Sequence, residues 1–180
     1  MILSGKEIKE RIKNKDITID PFDEKKLNPN SYNLTLHDEL LVYCNNELDM
    51  KKHNEVDKIK IPKEGLLLEP GKLYLGRTKE YTATDKFVPM IEGRSSIGRL
   101  GLFVHITAGF GDIGFAGTWT LEIFCIHPIR IYPDIEICHI YFNNIMGEYD
   151  LYGSNKLYGS KKYQNQSDIK ESLLFKDFER

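Results

Sequence analysis

The sequence is poor in cysteine, and its few cysteines are not spaced for disulfides or metal binding. Its three cysteines are Cys44, Cys125 and Cys138, an odd number with no C-x-x-C spacing. This pattern is typical of reduced, partly buried thiols. A disulfide framework is therefore not expected.

Long hydrophobic runs and an excess of one charge are also missing. Apolar runs such as Gly65–Leu68 are far too short to span a bilayer. With 25 basic and 27 acidic residues, the chain lacks the broad positive surface of a nucleic-acid-coating protein. No basic-then-apolar leader is visible, so we expect a cytoplasmic protein with neither membrane nor nucleic acid as a partner. A few local arginines could still hold a small phosphorylated ligand.

Signatures of zinc sites and of phosphate-binding loops are absent as well. His37-Asp38-Glu39 has the H-x-E half of a zinc-site signature, but the P-C-x-x-C half is missing. The five histidines do not group into a ligand set, so no protein-bound metal is expected. We interpret His105 as a core or interface histidine. No Walker, dinucleotide-binding or nucleophile-elbow motif is present.

The alternation of short apolar segments predicts a single, mainly β domain over residues 1–180 with a short N-terminal helix. Ser4 and Glu7 have the capping-box spacing, and Asn14 and Asp16 end the predicted helix. Many short strands broken by Gly and Pro are typical of a sandwich or barrel. The predicted strands are Tyr32–Leu36 (half-buried), Leu40–Tyr43, Leu66–Leu68, Leu73–Leu75, Leu102–Ile106, Trp119–Phe124, Ile129–Tyr132 and Ile135–Phe142.

Other segments do not follow this pattern. Asn45–Lys60 is polar and aperiodic, which predicts an exposed excursion. Pro and Gly at the centre of Glu69–Lys72 predict a type II turn. Beyond Gly147 the chain is polar and basic, and aromatics recur in Tyr152-Gly153-Ser154 and Tyr158-Gly159-Ser160. This tail fits either a mobile terminus or a lid that orders over a phosphorylated ligand.

The stretch Glu92–Glu122 contains the candidate site. Its first cluster combines guanidinium groups and hydroxyls, which suit an anion, although a solvated loop would look the same. Asp112 fits either a turn residue or an acceptor for a sugar hydroxyl or a water. The cluster consists of Arg94, Ser95, Ser96 and Arg99.

Glu122 is the most informative acid in this stretch. It lies in the strand pattern Trp119–Phe124, between bulky apolar residues. A carboxylate that loses part of its hydration there is suited to take and return protons as a general base and acid. Alternation also allows an outward-facing strand residue with no chemical role. The pattern alone leaves both interpretations open.

Several motifs in this order resemble the dCTP deaminases of the dUTPase-like superfamily. The first runs from Glu92 to Gly101 and is followed by His105-Ile106-Thr107-Ala108 and Thr120-Leu121-Glu122. Asn28–Leu34 looks like the family's early strand motif, and Lys162–Gln166 like its C-terminal nucleotide-closing segment. The resemblance covers most of the chain.

The resemblance implies a distorted β-barrel or jelly-roll that forms a homotrimer with shared active sites. It implies zinc-free hydrolysis of dCTP to dUTP and ammonia, which supplies the dUMP and dTTP pathway. Mg²⁺ would enter on the substrate triphosphate, and dTTP is a candidate inhibitor. Residues 148–180 would form the segment that closes over the nucleotide.

The resemblance also assigns roles to residues. Glu122 would be the general base and acid, while Ser95, Arg99 and the Ala108 backbone would hold the water and polarise the ring. The substrate contacts would be Arg94 and Ser96 at the phosphates and subunit junction, Asp112 at the deoxyribose 3′-hydroxyl, the Thr120, Leu121 and Glu122 backbone at the pyrimidine edge, and Tyr152, Lys162 and Gln166 over the triphosphate.

One motif bears on the product. Ala108-Gly109-Phe110-Gly111-Asp112 resembles the form found in bifunctional, dUMP-forming members. Gly111, however, replaces the branched residue that is usual in both the bifunctional and the single-activity members. The product could therefore be dUTP or, in a bifunctional enzyme, dUMP and diphosphate. A dUTPase without deaminase activity would share the Arg-Ser cluster but would not need Glu122. A nucleotide-sensing domain would bind dCTP without turnover.

Overall fold

The structure, a computed structural model, describes residues 1–105, 107–154 and 161–179. Ile106 of the predicted fifth strand and the Tyr158-Gly159-Ser160 motif lie outside these residues. The strands are β1 (Thr18–Asp20), β2 (Tyr32–Thr35), β3 (Glu39–Tyr43), β4 (Val56–Lys60), β5 (Leu66–Leu68), β6 (Tyr74–Arg77), β7 (Tyr81–Ala83), β8 (Phe87–Gly93), β9 (Leu102–Phe103), β10 (Ala116–Gly117), β11 (Thr120–Cys125), β12 (Ile129–Ile131) and β13 (Glu136–Asn144). The helices are α1 (Gly5–Lys13) and α2 (Ser95–Gly98), with 3₁₀ turns at Glu24–Lys26 and Leu174–Asp177.

The strands confirm the mainly β prediction and form four antiparallel sheets. Their orders are β1-β7-β10, β4-β3-β6-β11-β9, β12-β5 and β2-β13-β8. Within the described residues none of these sheets closes into a barrel. One core cluster draws side chains from every sheet, including Ile19, Leu68, Leu121 and Ile140. Among the described residues no helix is long and apolar enough to cross a membrane.

Helix α1 begins where its cap predicts. The Ser4 hydroxyl accepts a hydrogen bond from the Glu7 backbone N–H at 3.2 Å, and Asn14 is the C-terminal cap. The Glu7 carboxylate accepts from Arg11 Nε at 2.7 Å, one turn along the helix. Ile8 is fully buried, so this face of the helix packs into the main core.

The prediction that the Tyr32–Leu36 strand is half-buried is wrong, because both faces of β2 are buried. Asn33 and Thr35 occupy the face expected to be solvated, and each has a carboxylate partner. Asn33 Nδ2 donates to Glu136 Oε2 at 2.9 Å, and Thr35 Oγ1 donates to Glu80 Oε1 at 2.7 Å. Polar residues can be buried when such bonds satisfy them.

Asn45–Lys60 is not wholly an irregular excursion, since its last residues form β4. This strand pairs with β3 from Glu39 opposite Lys60 to Tyr43 opposite Val56. The predicted turn at Glu69–Lys72 has Gly71 at φ +79°, as a type II turn requires. It links β5 and β6, which belong to different sheets.

Glu80 is the centre of a buried polar network that ties the β6–β7 connection to β2. Its side chain is 1% exposed and lies 2.7 Å from Lys26 Nζ. The Thr35 backbone N–H donates to Glu80 Oε2 at 2.8 Å. Removal of the carboxylate would leave these donors without their acceptor.

Glu80→Ala should therefore lower the free energy of unfolding by about 3 kcal/mol or more, as for other broken buried pairs. Glu24→Ala is the matched control, because the Glu24 side chain of the Lys9–Glu24 pair is 65% exposed. That change should cost about 0–1 kcal/mol. Urea unfolding of both variants measures the difference, and equal losses would contradict the role given to Glu80.

Candidate active site

Glu122 lies on β11 and is held by a histidine. Its Oε2 is 2.5 Å from His105 Nδ1, and the side chains of Glu122 and His105 are 33% and 5% exposed. In the β9–β11 ladder, Phe103 pairs with Phe124 and Leu102 pairs with Cys125. Continuing this register places residue 105 opposite residue 122. The interpretation of His105 as a core or interface histidine therefore missed its partner.

Glu122 and His105 line a cavity of about 470 Å³. Most predicted site residues that are not in the Arg94–Arg99 cluster line it. Those residues are Ala108, Asp112, Thr120, Glu122, Tyr152 and Gln166. A cavity of this size matches small-molecule sites in general.

Aromatic rings form one wall of the cavity. The Phe115 ring centroid is 4.7 Å from that of Trp119 and 6.2 Å from that of Tyr152. The Trp119 indole N–H donates to Thr82 Oγ1 at 2.8 Å, which fixes the ring plane. Burial raises the pKa of the Tyr152 phenol above its ordinary value. Such a wall suits a flat ring or a sugar face.

Gly111 lets Trp119 reach this wall. A Cβ on Gly111 would lie 2.3 Å from the Trp119 ring and 2.9 Å from the Pro89 carbonyl oxygen. The backbone here is tied to β8, since the Gly111 N–H donates to that same Pro89 oxygen at 3.0 Å. A branched residue at 111 would clash with Trp119, which gives the unusual glycine a physical reason.

The C-terminal segment, residues 161–179, supplies further residues of the cavity lining. Gln166 Nε2 donates to the Thr118 carbonyl at 2.6 Å, and the Thr118 N–H donates to the Gln166 carbonyl at 2.9 Å. Gln166 Oε1 is buried and has no hydrogen-bond partner in the described part of the chain. Such an unsatisfied acceptor is available to a ligand.

The β3–β4 hairpin holds the far end of this segment. Ile169 is 5% exposed and forms a small apolar cluster, separate from the main core, with Leu41 and Leu75. The Ser172 N–H donates to the Tyr43 hydroxyl at 3.1 Å. The cavity is also lined by Tyr43, Lys170, Glu171 and Ser172, none of which the sequence motifs predict as a site residue.

The Arg94–Arg99 cluster does not line this cavity. Arg94 Nη1 donates to the Glu136 carbonyl at 2.7 Å and lies 3.1 Å from the Glu136 carboxylate, so it is tied to β13. Ser95, Ser96 and Arg99 are exposed. Their role in the site therefore stays a prediction.

Leu121 and Lys162 are also outside the cavity. The Leu121 side chain is fully buried in the core, and its backbone pairs with Gly76 of β6. Lys162 Nζ is 2.5 Å from Asp177 Oδ2, so its charge is already paired. Contact of Lys162 with a ligand would require this pair to open.

The charges around the cavity are mostly negative. Asp112, Glu122 and Glu171 contribute carboxylates, whereas Lys170 is the single lysine or arginine among the described lining residues. One lysine cannot neutralise a nucleoside triphosphate, which carries several negative charges. Additional cations must therefore come from outside this cavity if such a ligand binds.

Comparison with known proteins agrees with the resemblance seen in the sequence. A family model described as dCTP deaminase-like matches residues 2–145. A relative from Hathewaya histolytica named "dCTP deaminase, dUMP-forming" is 71% identical over 179 residues, covering 99% of this chain and 100% of the relative. A relative of the same name from Clostridium botulinum (strain Alaska E43 / Type E3) is 68% identical over 180 residues, covering both chains fully at 100%.

A solved structure shares the fold. The crystal structure of 2′-deoxycytidine 5′-triphosphate deaminase from Agrobacterium tumefaciens matches with a TM-score of 0.63 at 18% identity. The match covers 78% of this chain and 47% of that chain. The family predicted from the sequence motifs is thus confirmed, and the chain belongs to the dCTP deaminase-like family.

Proposed function

We propose that this protein is a dCTP deaminase that carries its product on to dUMP and diphosphate. The observation that carries the deaminase assignment is Glu122, held by His105 at the mouth of an aromatic-walled cavity. Support for the dUMP product comes from full-length relatives that bear the name "dCTP deaminase, dUMP-forming". These names favour the bifunctional, dUMP-forming alternative over an enzyme that simply releases dUTP.

The deamination step follows from one carboxylate acting twice. Glu122 takes a proton from water, and the resulting hydroxide adds to C4 of the cytosine ring. Glu122 then returns the proton to the exocyclic amine, which leaves as ammonia. The proton of the added hydroxyl moves to ring N3 as the C4 carbonyl forms. Ser95, Arg99 and the Ala108 backbone are proposed to hold the water and stabilise the developing charge.

The remaining substrate contacts are proposed as the family resemblance assigns them. Asp112 meets the deoxyribose 3′-hydroxyl and helps to align the water for the second hydrolysis. Thr120, Leu121 and Glu122 present backbone groups to the pyrimidine edge. The triphosphate is held by Tyr152, Gln166 and Lys162. Lys162 can do so only after its ion pair with Asp177 opens.

Mg²⁺ is proposed to arrive on the triphosphate. The described residues contain no group of three or more His, Cys, Asp or Glu that could hold a metal ion. Mg²⁺ prefers phosphate oxygens and water and dehydrates reluctantly, so it does not require a protein cage. The ion would offset part of the repulsion between the phosphates and the cavity carboxylates.

A homotrimer with shared sites is proposed to supply the missing cations. Lys170 is the lone lysine or arginine among the described cavity residues, and Ser95, Ser96 and Arg99 are exposed. An exposed cluster on one copy can meet the cavity of the next in a closed ring with heterologous contacts. Arg94 and Ser96 then approach the phosphates from a neighbouring subunit.

Product analysis tests the proposed function. Purified protein is incubated with dCTP and Mg²⁺, and nucleotides are followed by chromatography. We expect dUMP to accumulate from the earliest times without a build-up of dUTP. Accumulation of dUTP would restrict the enzyme to deamination. In a parallel incubation with dUTP, turnover of dUTP but not of dCTP would indicate a dUTPase. Binding of dCTP with no product from either nucleotide would indicate a nucleotide sensor.

Residues 148–180 are proposed to close over the nucleotide, with the small Ile169 cluster as the anchor. Ile169→Ala should weaken this docking by about 2 kcal/mol or more, the lower bound for loss of a buried isoleucine. The KM for dCTP should then rise by about 25-fold or more, because each 1.4 kcal/mol is worth a factor of ten. Global stability should change much less, since the cluster is separate from the main core.

Hydrogen exchange of residues 166–173 together with steady-state kinetics measures this effect. Leu174→Ala is the matched control on the same segment, because Leu174 is 38% exposed. Faster exchange with an unchanged KM in Ile169→Ala would contradict the closing role.

A further inference from the structure

The buried histidine beside Glu122 has an unusual set of contacts. His105 is bonded through Nδ1 to Glu122 Oε2, while its Nε2 is buried without a hydrogen-bond partner in the described part of the chain. A buried unsatisfied nitrogen costs about 1–3 kcal/mol. A histidine kept only for packing could be replaced by an apolar residue at lower cost. Its single bond to Glu122 is therefore its most informative feature.

The proposed role of Glu122 sets the tautomer of His105. A general base is ionised before it takes a proton, and an ionised carboxylate can only accept, so Nδ1 of His105 carries the proton that is donated to Oε2 of Glu122. In the neutral ring Nε2 is then a bare acceptor, and no described group donates to it. A ring held in this tautomer is a donor to Glu122.

The same hydrogen bond leaves the two carboxylate oxygens of Glu122 with different partners. Oε2 is tied to His105, whereas no hydrogen bond joins Oε1 to any other described residue. The side chain is 33% exposed toward the cavity, so Oε1 is the oxygen that remains for a water molecule. A general base must lie within about 2.6–3.2 Å of the proton it takes, and a tied carboxylate keeps that distance.

We propose that His105 is the positioning residue for Glu122: its Nδ1–H holds Oε2 and thereby aims Oε1 at the attacking water. This inference rests on the proposed deaminase function. The antiparallel register of β9 and β11 brings the two residues together, since residue 105 continues the ladder opposite residue 122. His105 acts through Glu122 and has no proposed contact with the reacting atoms.

Amide substitutions separate positioning from packing. The Asn side-chain amide lies where Nδ1 of histidine lies, whereas the longer Gln side chain places its amide near the position of Nε2. His105→Asn should retain the donor to Glu122, and His105→Gln and His105→Ala should lose it. The first two variants are both neutral amides, so they form a matched pair.

We expect kcat for dCTP deamination to fall on the order of 10- to 100-fold in His105→Gln and His105→Ala, the range for loss of an orienting partner. KM should change by less than about threefold, because binding groups are untouched and only the chemical step is affected. His105→Asn should recover most of kcat. Thermal unfolding of each variant shows whether it is folded.

A second measurement works even where turnover is low. Binding of dCTP to Glu122→Gln is compared with binding to the double variant that also carries His105→Ala, and equal affinities are expected. Unchanged kcat in all three His105 variants would overturn the inference, as would equal losses in Asn and Gln or a KM that rises with each loss. Failure of the proposed function itself is distinguishable, because the wild-type protein would then release no ammonia from dCTP.

Discussion

Glu122→Gln should lower the rate of dCTP deamination by on the order of 10²- to 10⁴-fold, the usual contribution of a general acid/base. Glutamine has nearly the same shape and can still accept from His105 Nδ1, so the cavity should keep its form. It cannot take the proton from water or return one to the departing amine. Ammonia release measured against wild type gives the size of the loss.

Glu171→Gln is the matched control for this prediction. Glu171 lines the same cavity, and its carboxylate lies 3.1 Å from His53 Nε2 at the β3–β4 hairpin. We expect its rate to stay within about threefold of wild type, because Glu171 has no proposed contact with the reacting atoms and already has His53 as a partner. Undiminished ammonia release by Glu122→Gln would remove the proposed mechanism.

Arg99→Ala should lower deamination by on the order of 10²- to 10³-fold, as loss of one donor to a developing charge does. Arg99 is exposed and lies outside the cavity that contains Glu122. If both residues serve one site, they come from different copies of the chain. The two inactive variants should then complement each other.

Complementation tests for a shared site through a gain of activity, which neither inactive variant shows by itself. Arg99→Ala and Glu122→Gln are unfolded, mixed in equal amounts and refolded together. In a ring of randomly mixed subunits, about one site in four combines an intact Arg99 with an intact Glu122 from its neighbour. Recovery of about a quarter of wild-type activity is expected. Activity no higher than that of either variant alone would contradict a shared site.

Local patterns in the sequence predicted several elements, but they did not predict β1, β7, β8 or β10. Helix α1 follows from Ser4 and Glu7, and β11 and β13 follow from runs of apolar residues. Strand β4 was also missed, because most of its side chains are polar and exposed and Ile59 alone packs against the main core. Whether a polar residue is buried depends on a distant partner, as Thr35 and Glu80 show.

The candidate site also contains some residues that the sequence motifs predicted and others that depend on the tertiary structure. Motifs identified Glu122 and Asp112, which line the cavity. His105 could not be paired with Glu122 from the sequence, because that pairing depends on the register between β9 and β11. The cavity contacts of Lys170 and Glu171 likewise depend on how the C-terminal segment crosses the β3–β4 hairpin.

The most direct measurement is a crystal structure of Glu122→Gln with dCTP and Mg²⁺. We expect the cytosine ring in the cavity beside Trp119, with C4 and its amine within hydrogen-bonding reach of the side chain at 122. Arg94 and Arg99 of an adjacent copy should lie around the same nucleotide. A nucleotide bound elsewhere, or a side chain at 122 directed away from the pyrimidine, would contradict this mechanism.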